Sequence, residues 1–190
     1  MKLGTKSLLF GAHQFLIHPF FVAWAYLKLY GWPKYNKLQL LVACIVHDWG
    51  YWGCDDLDGP QGRLHPFTGA KIMHRLFDRK GTAYWDGECF WYEFMLCHSR
   101  TLARNRNAIP SRLCYADKLA TVLMPSWLWV VSCSLSGESE YFRTSPHVML
   151  ADPKLTPFQW IEKAKQHTRD WFKLNFTSRC LCDICTETKS

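Results

Sequence analysis

Hydrophobic residues recur along this chain at the three- and four-residue spacing of helices that bury one face. In residues 36–48 the apolar positions that follow this spacing are Leu38, Leu41, Val42 and Ile45. Residues 157–172 have a similar amphipathic pattern, and almost no segment alternates apolar and polar residues as a half-buried strand does. The pattern therefore predicts an all-α fold.

Proline and glycine divide the sequence into pieces of helical length. We predict helices at residues 18–30, 36–48, 66–77, 83–98, 110–123 and 157–172. Residues 50–64 contain four glycines, one proline and three aspartates, so they are predicted to form a long ordered loop that carries functional groups. Residues 100–107 are predicted to form a basic loop, and residues 138–154 an irregular segment.

The chain has 190 residues, of which 48% are hydrophobic, and this is enough for one substantial core. We predict a single domain over residues 1–176, followed by a polar and flexible tail, residues 177–190. The tail contains Cys180, Cys182 and Cys185, whose spacing resembles that of zinc ligands. A tetrahedral zinc site needs a fourth ligand and none lies nearby, which favours free thiols.

The formal net charge of +7 favours an acidic partner, such as a nucleotide phosphate, a nucleic acid or an anionic membrane surface. No cleavage site follows the apolar start of the chain, and nine cysteines without an export signal are typical of reduced thiols in the cytoplasm. The apolar stretch 15–29 contains a histidine, a proline and Lys28 and is interpreted as a buried core helix, and the stretch 122–135 is interrupted by Pro125 and too short to span a membrane. We expect no transmembrane segment and no stable nucleic-acid complex, and the sequence leaves a homo-oligomer open.

Candidate metal ligands lie at the predicted helix ends. His47 and Asp48 close an apolar helix, and a carboxylate can bridge two metal ions through its two oxygens. The other candidates, which lie in or beside further predicted helices, are His18, His65, His98 and Asp117. Ligands from facing helices converge inside a bundle, so this set predicts a site for two divalent ions with Asp48 shared. The metal is Mn, Co, Fe, Zn or Mg, and His13 is the alternative to His18.

The order of these residues resembles the HD-domain superfamily of metal-dependent phosphohydrolases. The resemblance runs from His18 to Ala120 through these motifs: His47-Asp48-Trp49-Gly50, His65-Pro66-Phe67-Thr68-Gly69-Ala70, His98, Ile109-Pro110 and Ala116-Asp117-Lys118. It implies an HD-domain helical bundle that hydrolyses a phosphate ester or anhydride with a metal-activated water. Two motifs are similar to those of cyclic-dinucleotide phosphodiesterases. However, the chain lacks a Gly-Tyr-Pro after His98 and a lysine between Asp48 and His65, which argues against cyclic-di-GMP cleavage.

Charged residues near the ligands are candidates for binding and catalysis. The basic residues predicted to bind substrate phosphates are Arg100, Arg104, Arg106 and Lys118. A solvated loop is an equally good interpretation of the three arginines. Asp48 and Lys118 are predicted catalytic residues, with Lys118 neutralising a leaving phosphate. The general acid is expected to be Asp55, Asp56 or Asp58, and we predict Asp56.

Together these features predict a phosphohydrolase of a nucleotide or a related phosphorylated small molecule. It would be a nucleotidase, a deoxynucleoside triphosphohydrolase or a phosphodiesterase. One alternative is a mixed-valent di-iron oxygenase of a small polar substrate, because some HD-domain proteins resembling myo-inositol oxygenase use the same six ligands. Another is a nucleotide sensor that binds without turnover. The base, the sugar and the number of phosphates are left open by the sequence.

Overall fold

The structure, a computed structural model, describes residues 1–78 and 90–176. These residues form helices and no β-strand, which confirms the all-α prediction. In chain order the α-helices of the described ranges are α1 (Leu3–Phe10), α2 (Ile17–Tyr30), α3 (Lys37–Val46), α4 (Pro66–Phe77), α5 (Phe90–Leu96), α6 (Arg100–Asn105), α7 (Arg112–Leu123), α8 (Ser126–Ser136), α9 (Glu138–Thr144) and α10 (Pro157–Asn175). Short 3₁₀ turns at Trp49–Tyr51 and Gly62–Leu64 interrupt the predicted loop. The predicted tail, residues 177–190, lies outside the described residues.

The packing of α2 against α7 forms the centre of the molecule. Val22 and Ala25 of α2 and Ala116 and Ala120 of α7 are completely buried. Alanine at three of these positions lets the two backbones approach closely, as small side chains do at helix contacts. Helix α7 also packs against α10.

Close backbone approach brings the end of α3 against the start of α4. A Cβ atom on Gly50 would lie 2.0 Å from the carbonyl oxygen of His65, and one on Gly69 would lie 2.8 Å from the carbonyl oxygen of Val46. Neither separation is tolerated by real side chains, so both positions require glycine. These two glycines therefore bring the segment that follows α3 next to the segment that precedes α4.

The buried face of α3 differs from the predicted one. Leu38, Leu41 and Ile45 are exposed, whereas the buried residues of this helix are Leu40, Ala43, Cys44 and Val46. After Lys37, Gln39 is the one polar residue of α3, so the sequence pattern of the helix does not distinguish the packed face from the solvent face. The assignment of Leu38, Leu41 and Ile45 to the core was therefore wrong.

Two segments predicted to be irregular contain short helices. Helix α6 lies in the predicted basic loop, where the Ser99 side chain accepts a hydrogen bond from the Leu102 backbone N–H and so caps the first turn. Helix α9 follows Gly137, whose left-handed backbone (φ 85°) ends α8 and starts the next helix. Of the helix predicted at 83–98, only residues from Phe90 onward are described.

Helix α10 is held in place by a cap at its N-terminus and by one buried lysine. Thr156 and Gln159 form a reciprocal capping box at its N-terminus. The buried Lys165 ammonium donates hydrogen bonds to the carbonyl oxygen of Met124 (2.5 Å) and to the hydroxyl of Ser126 (2.7 Å). These bonds tie α10 to the break between α7 and α8.

None of the described helices is by itself long and apolar enough to cross a membrane. Helices α7 and α8 together satisfy the same test of length and composition, but they meet at an angle of 99°.

Candidate metal centre

The six predicted metal ligands converge in the interior of the described structure. Their side-chain atoms form two groups, in each of which all ligand atoms lie within 4.8 Å of one another. The first group is His18, His47, Asp48 and Asp117, and the second is Asp48, His65 and His98. Asp48 belongs to both, as the sequence predicts for a shared ligand. These buried histidines and aspartates could hold metal ions.

Each ligand lies at or near the end of a helix, apart from Asp117. His18 is in the first turn of α2, and His47 directly follows α3. His65 immediately precedes α4, and His98 follows α5 by two residues. Asp117 lies in the middle of α7, on the helix that packs against α2. Helix packing therefore brings together side chains that are up to 99 residues apart.

The two oxygens of the Asp48 carboxylate face different histidines. Oδ2 lies 3.0 Å from His47 Nε2 and 3.3 Å from His18 Nε2. Oδ1 lies 3.4 Å from His65 Nε2 and 3.8 Å from His98 Nε2. This arrangement suits a carboxylate that bridges two ions, one on each side.

Asp117 completes the first group. Its Oδ1 lies 3.2 Å from His18 Nε2, while its Oδ2 accepts a hydrogen bond from the Lys118 ammonium at 2.7 Å. One oxygen therefore faces the histidines, and the other is held by a neighbouring cation.

Backbone carbonyls orient three of the histidine rings. The Nδ1 atoms of His47, His65 and His98 lie 2.8, 2.7 and 2.5 Å from the carbonyl oxygens three residues earlier in the chain. A carbonyl oxygen only accepts, so each Nδ1 carries the hydrogen. In a neutral ring this leaves the lone pair on Nε2, which faces the site. Proteins commonly orient metal-binding histidines in this way.

Several polar atoms of the site lack a hydrogen-bond partner. Among the buried side-chain atoms of the described residues that have none are His18 Nε2, His47 Nε2 and Asp48 Oδ2. In addition, the Nε2 atoms of His65 and His98 lie only 3.1 Å apart, although both rings donate from Nδ1. Buried unpaired polar groups and facing lone pairs are costly. A positive ion placed among these atoms would satisfy them, so the donor set fits a metal.

The pKa values reveal the negative potential of the first group. Burial alone would lower the pKa of His47, but the charges of Asp48 and Asp117 outweigh it and raise this pKa to about 10. For the aspartates, burial alone would raise the pKa. The charge of His47 on Asp48 and that of Lys118 on Asp117, together with the adjacent His18 and His47 rings, hold both carboxyl pKa values well below their usual range. The two carboxylates are thus ionised and attract positive charge.

In the second group, the His65 ring is neutral without a metal. Burial lowers the pKa of His65 to about 3, and the neighbouring His98 ring adds to this effect, while the charge of Asp48 opposes it. His65 therefore presents a lone pair at neutral pH. Because metal ligands must be unprotonated, this ring is ready to bind an ion.

A cleft of about 190 Å³ borders the metal centre. The residues that line it include His13, Tyr51, Asp58, Lys118, Trp129 and Phe142. Three of them contact predicted ligands: the Tyr51 ring stacks on His65 at 4.1 Å between centroids, the His13 ring lies edge-on to His18 at 5.8 Å, and Lys118 binds Asp117. The cleft is therefore placed to hold a molecule beside the metal ligands.

The three predicted phosphate-binding arginines do not line this cleft. All lie on or next to α6 and are exposed. The Arg100 guanidinium lies over the Trp171 ring at 4.9 Å, and Arg106 forms an ion pair of 2.7 Å with Glu93. The position of Arg104 and Arg106 agrees better with the alternative of a solvated segment. Arg100 is close enough to Lys118 to oppose the rise in the pKa of that lysine.

The three aspartates of the predicted loop have different environments. Asp55 is exposed and forms a 3.0 Å ion pair with Lys2, while Asp56 accepts a 2.7 Å hydrogen bond from the Gly62 backbone N–H and so closes the loop. Asp58 lines the cleft, and its burial raises the pKa of its carboxyl group. Of the three candidates, Asp58 therefore lines the cleft, whereas the predicted Asp56 does not.

A buried network next to the cleft was missed by the sequence analysis. The Glu138 carboxylate is completely buried and accepts hydrogen bonds from the Ser7 hydroxyl (2.6 Å), the Ala12 backbone N–H (2.8 Å) and the Ser136 hydroxyl (2.6 Å). The Ser7 oxygen in turn lies 2.7 Å from His13 Nδ1. Because the serine proton points to the carboxylate, His13 donates to Ser7. This network sets the orientation of a ring that lines the cleft.

Comparisons with family models, curated proteins and solved structures found no match to this chain. Its function can therefore be inferred only from the arrangement of its own residues.

Proposed function

We propose that this chain is an HD-domain metal-dependent phosphohydrolase that acts on a nucleotide or a related phosphorylated small molecule. The observation that carries the proposal is the Asp48 carboxylate, whose two oxygens each face a separate pair of buried histidines. With Asp117, these residues would hold two divalent ions. When bound, such ions lower the pKa of a water and stabilise negative charge on phosphoryl oxygens.

The chemistry of the donors narrows the choice of ion. Four imidazoles and two carboxylates are typical of a transition metal such as Mn, Co, Fe or Zn. Mg prefers ligand sets composed mainly of oxygen atoms and water. We therefore expect one of these transition metals in preference to Mg.

Lys118 would bind the phosphate group. Burial alone would lower its pKa, but the adjacent Asp117 carboxylate outweighs this effect and raises it, so the ammonium keeps its proton at neutral pH. Its side chain is one-third exposed and lines the cleft. A phosphate in the cleft would therefore meet a fixed positive charge beside the metal ligands.

Asp58 would supply the proton for the leaving group. It lines the same cleft, and its raised carboxyl pKa increases the protonated fraction near neutral pH. A protonated carboxyl group can donate to the oxygen of the bond that breaks. The apolar wall formed by Trp129 and Phe142 would exclude water from this proton transfer.

The size of the cleft favours a small substrate. Pockets that enclose drug-sized ligands have volumes of roughly 300–1,000 Å³, whereas this cleft has about 190 Å³. It would enclose a phosphate and part of the group attached to it. A nucleotide would extend beyond it, and a small phosphorylated metabolite would fit within it.

The test combines metal analysis with a hydrolysis screen. The purified chain would be assayed for release of phosphate or nucleoside from a broad nucleotide and phosphomonoester panel, with Mn, Co, Fe, Zn or Mg added. We expect hydrolysis by the wild type and by the control Asp55→Ala, which removes an exposed aspartate, and none by Asp48→Ala. Absence of hydrolysis across the panel with a metal-loaded protein would overturn the proposal. Two irons per chain with oxygen consumption and no hydrolysis would favour the oxygenase.

A further inference from the structure

Helix α2 exposes an apolar stripe along its solvent side. Leu16, just before the helix, and Phe20 and Trp24 within it are spaced four residues apart, and their exposed fractions are 75%, 65% and 41%. Residues at this spacing lie on one face of a helix. Single exposed apolar side chains are ordinary, but a continuous row of large ones marks an interaction surface.

A second stripe follows on α3. The exposed residues Leu38, Leu41, Ile45 and Trp49 recur at helical spacing, and the last of these begins the 3₁₀ turn after the helix. Helices α2 and α3 are consecutive and pack against each other. We call the exposed residues of these two stripes the α2–α3 surface.

Positive charge accompanies this surface. Residues 1–47 contain five lysines and neither aspartate nor glutamate. Three of these lysines, at positions 28, 34 and 37, are exposed at the end where α2 meets α3. Trp32 and Tyr35 are also exposed there, at 60% and 69%. Exposed Trp and Tyr with lysines nearby are typical of protein segments at the headgroup level of a bilayer.

We propose that the α2–α3 surface binds the face of a bilayer that contains anionic phospholipid. The apolar stripes would enter the boundary between headgroups and acyl chains, and the lysines would contact lipid phosphates. Two copies of this surface facing each other would bring lysines together without a carboxylate from residues 1–47 to offset them. A nucleic acid has no apolar surface that matches exposed rows of Leu, Ile and Phe side chains. The combination of charge and apolar area thus selects the bilayer.

The test is sedimentation of the full chain with lipid vesicles. Phosphatidylcholine vesicles would be compared with vesicles that also contain phosphatidylserine. We expect at least about tenfold tighter binding to the anionic vesicles, because each lysine near the surface strengthens binding about fivefold. We expect the binding to weaken as salt is added.

Variants separate the surface from other exposed apolar residues. Leu38→Gln with Ile45→Gln should weaken binding at least about tenfold, and Lys34→Gln with Lys37→Gln should remove the preference for anionic lipid. The control pair, Leu135→Gln with Leu174→Gln, replaces residues that are 71% and 85% exposed elsewhere, and it should bind as the wild type does. All six positions are exposed, so none of these changes opens the core.

Three outcomes would overturn the proposal. The first is no vesicle binding by the wild type, and the second is a loss of vesicle binding in the control pair equal to that in Leu38→Gln with Ile45→Gln. The third is a dimer, detected by light scattering, that the Leu38 and Ile45 changes disrupt while vesicles do not bind. Binding is expected to be the same in Asp48→Ala. The membrane proposal therefore stands or fails independently of the hydrolase proposal.

Discussion

The substitution Glu138→Gln tests the buried network beside the cleft. It preserves the shape of the side chain but replaces an oxygen that accepts with a nitrogen that only donates. In the wild type the carboxylate accepts from Ser7, Ala12 and Ser136, and it lies 3.6 Å from His13 Nδ1. The amide of the variant cannot accept from all three donors, so at least one of them is left buried and unpaired.

The expected loss follows from the number and type of these bonds. A hydrogen bond to a charged group contributes about 1.5–3 kcal/mol, and breaking one side of a buried ion pair costs about 3–5 kcal/mol. The Ser7 hydroxyl can rotate and accept a hydrogen bond from the new amide. We therefore expect the free energy of unfolding to fall by about 3 kcal/mol, the lower end of the range for a broken buried ion pair. For a chain of this size, about 1 kcal/mol corresponds to a shift in Tm of about 2–4 °C. Tm should therefore fall by about 6–12 °C.

The measurement is thermal unfolding followed by circular dichroism in the presence of a chelator. Glu140→Gln is the matched control, because Glu140 lies two residues later on the same helix and its side chain is 66% exposed, paired with Arg143. Surface changes of this kind alter stability by about 0.5 kcal/mol or less. Its Tm should stay within about 2 °C of the wild type.

The pH dependence gives a second check. Burial alone would raise the pKa of Glu138, but the hydrogen bonds to its carboxylate and the charge of His13 lower this pKa. The ionised Glu138 therefore stabilises the fold fully above its ordinary pKa of 4.5, and this stabilisation is lost at lower pH. Burial alone would lower the pKa of His13, but the charges of Asp48 and Glu138 raise this pKa. The protonated His13 therefore stabilises the fold fully below its ordinary pKa of 6.5, and this stabilisation is lost as the pH rises through the pKa of the folded state. The Tm difference between wild type and Glu138→Gln should be largest between these two values. Equal Tm values for the two glutamate variants, or a difference that grows below pH 4.5, would refute this account.

Three further predictions concern the metal centre and the cleft. His98→Ala should keep about one metal ion per chain and Asp48→Ala should keep none, because Asp48 alone belongs to both ligand groups. Inductively coupled plasma mass spectrometry of the purified variants measures the metal content. Equal metal contents in the two variants would contradict a shared carboxylate. Lys118→Met should lower kcat/KM by about 10- to 100-fold, because the loss of one hydrogen bond to a charged group costs about 1.5–3 kcal/mol. The control Lys163→Met, on the exposed side of α10, should leave kcat/KM unchanged. Steady-state kinetics with the substrate found in the screen measures both variants. Asp58→Asn should lower kcat by about 10²- to 10⁴-fold with a smaller effect for a substrate with a good leaving group, and an equal loss for both substrates would argue against its role as the acid.

The residues of the candidate metal centre were predictable from the sequence because the prediction depends on residue type and on position relative to helix ends. His47 and Asp48 end an apolar helix, and His65 precedes a proline that starts the next one. Such local signals do not depend on how the helices pack. The order of the six residues then sufficed to propose one shared site, which the structure brings together around Asp48.

The tertiary structure decided which side chains face the cleft and which face solvent. Asp56 and Asp58 are equivalent in sequence terms, but the first closes a turn and the second lines the cleft. Glu138 binds Ser7 across 131 positions, and no local pattern indicates that pairing. Helix α3 has apolar residues at every position after Gln39, so its packing partners and not its sequence pattern determine that Ile45 is exposed. Residue chemistry and helical spacing are local properties of the sequence, whereas burial and long-range pairing depend on the complete packing of the chain.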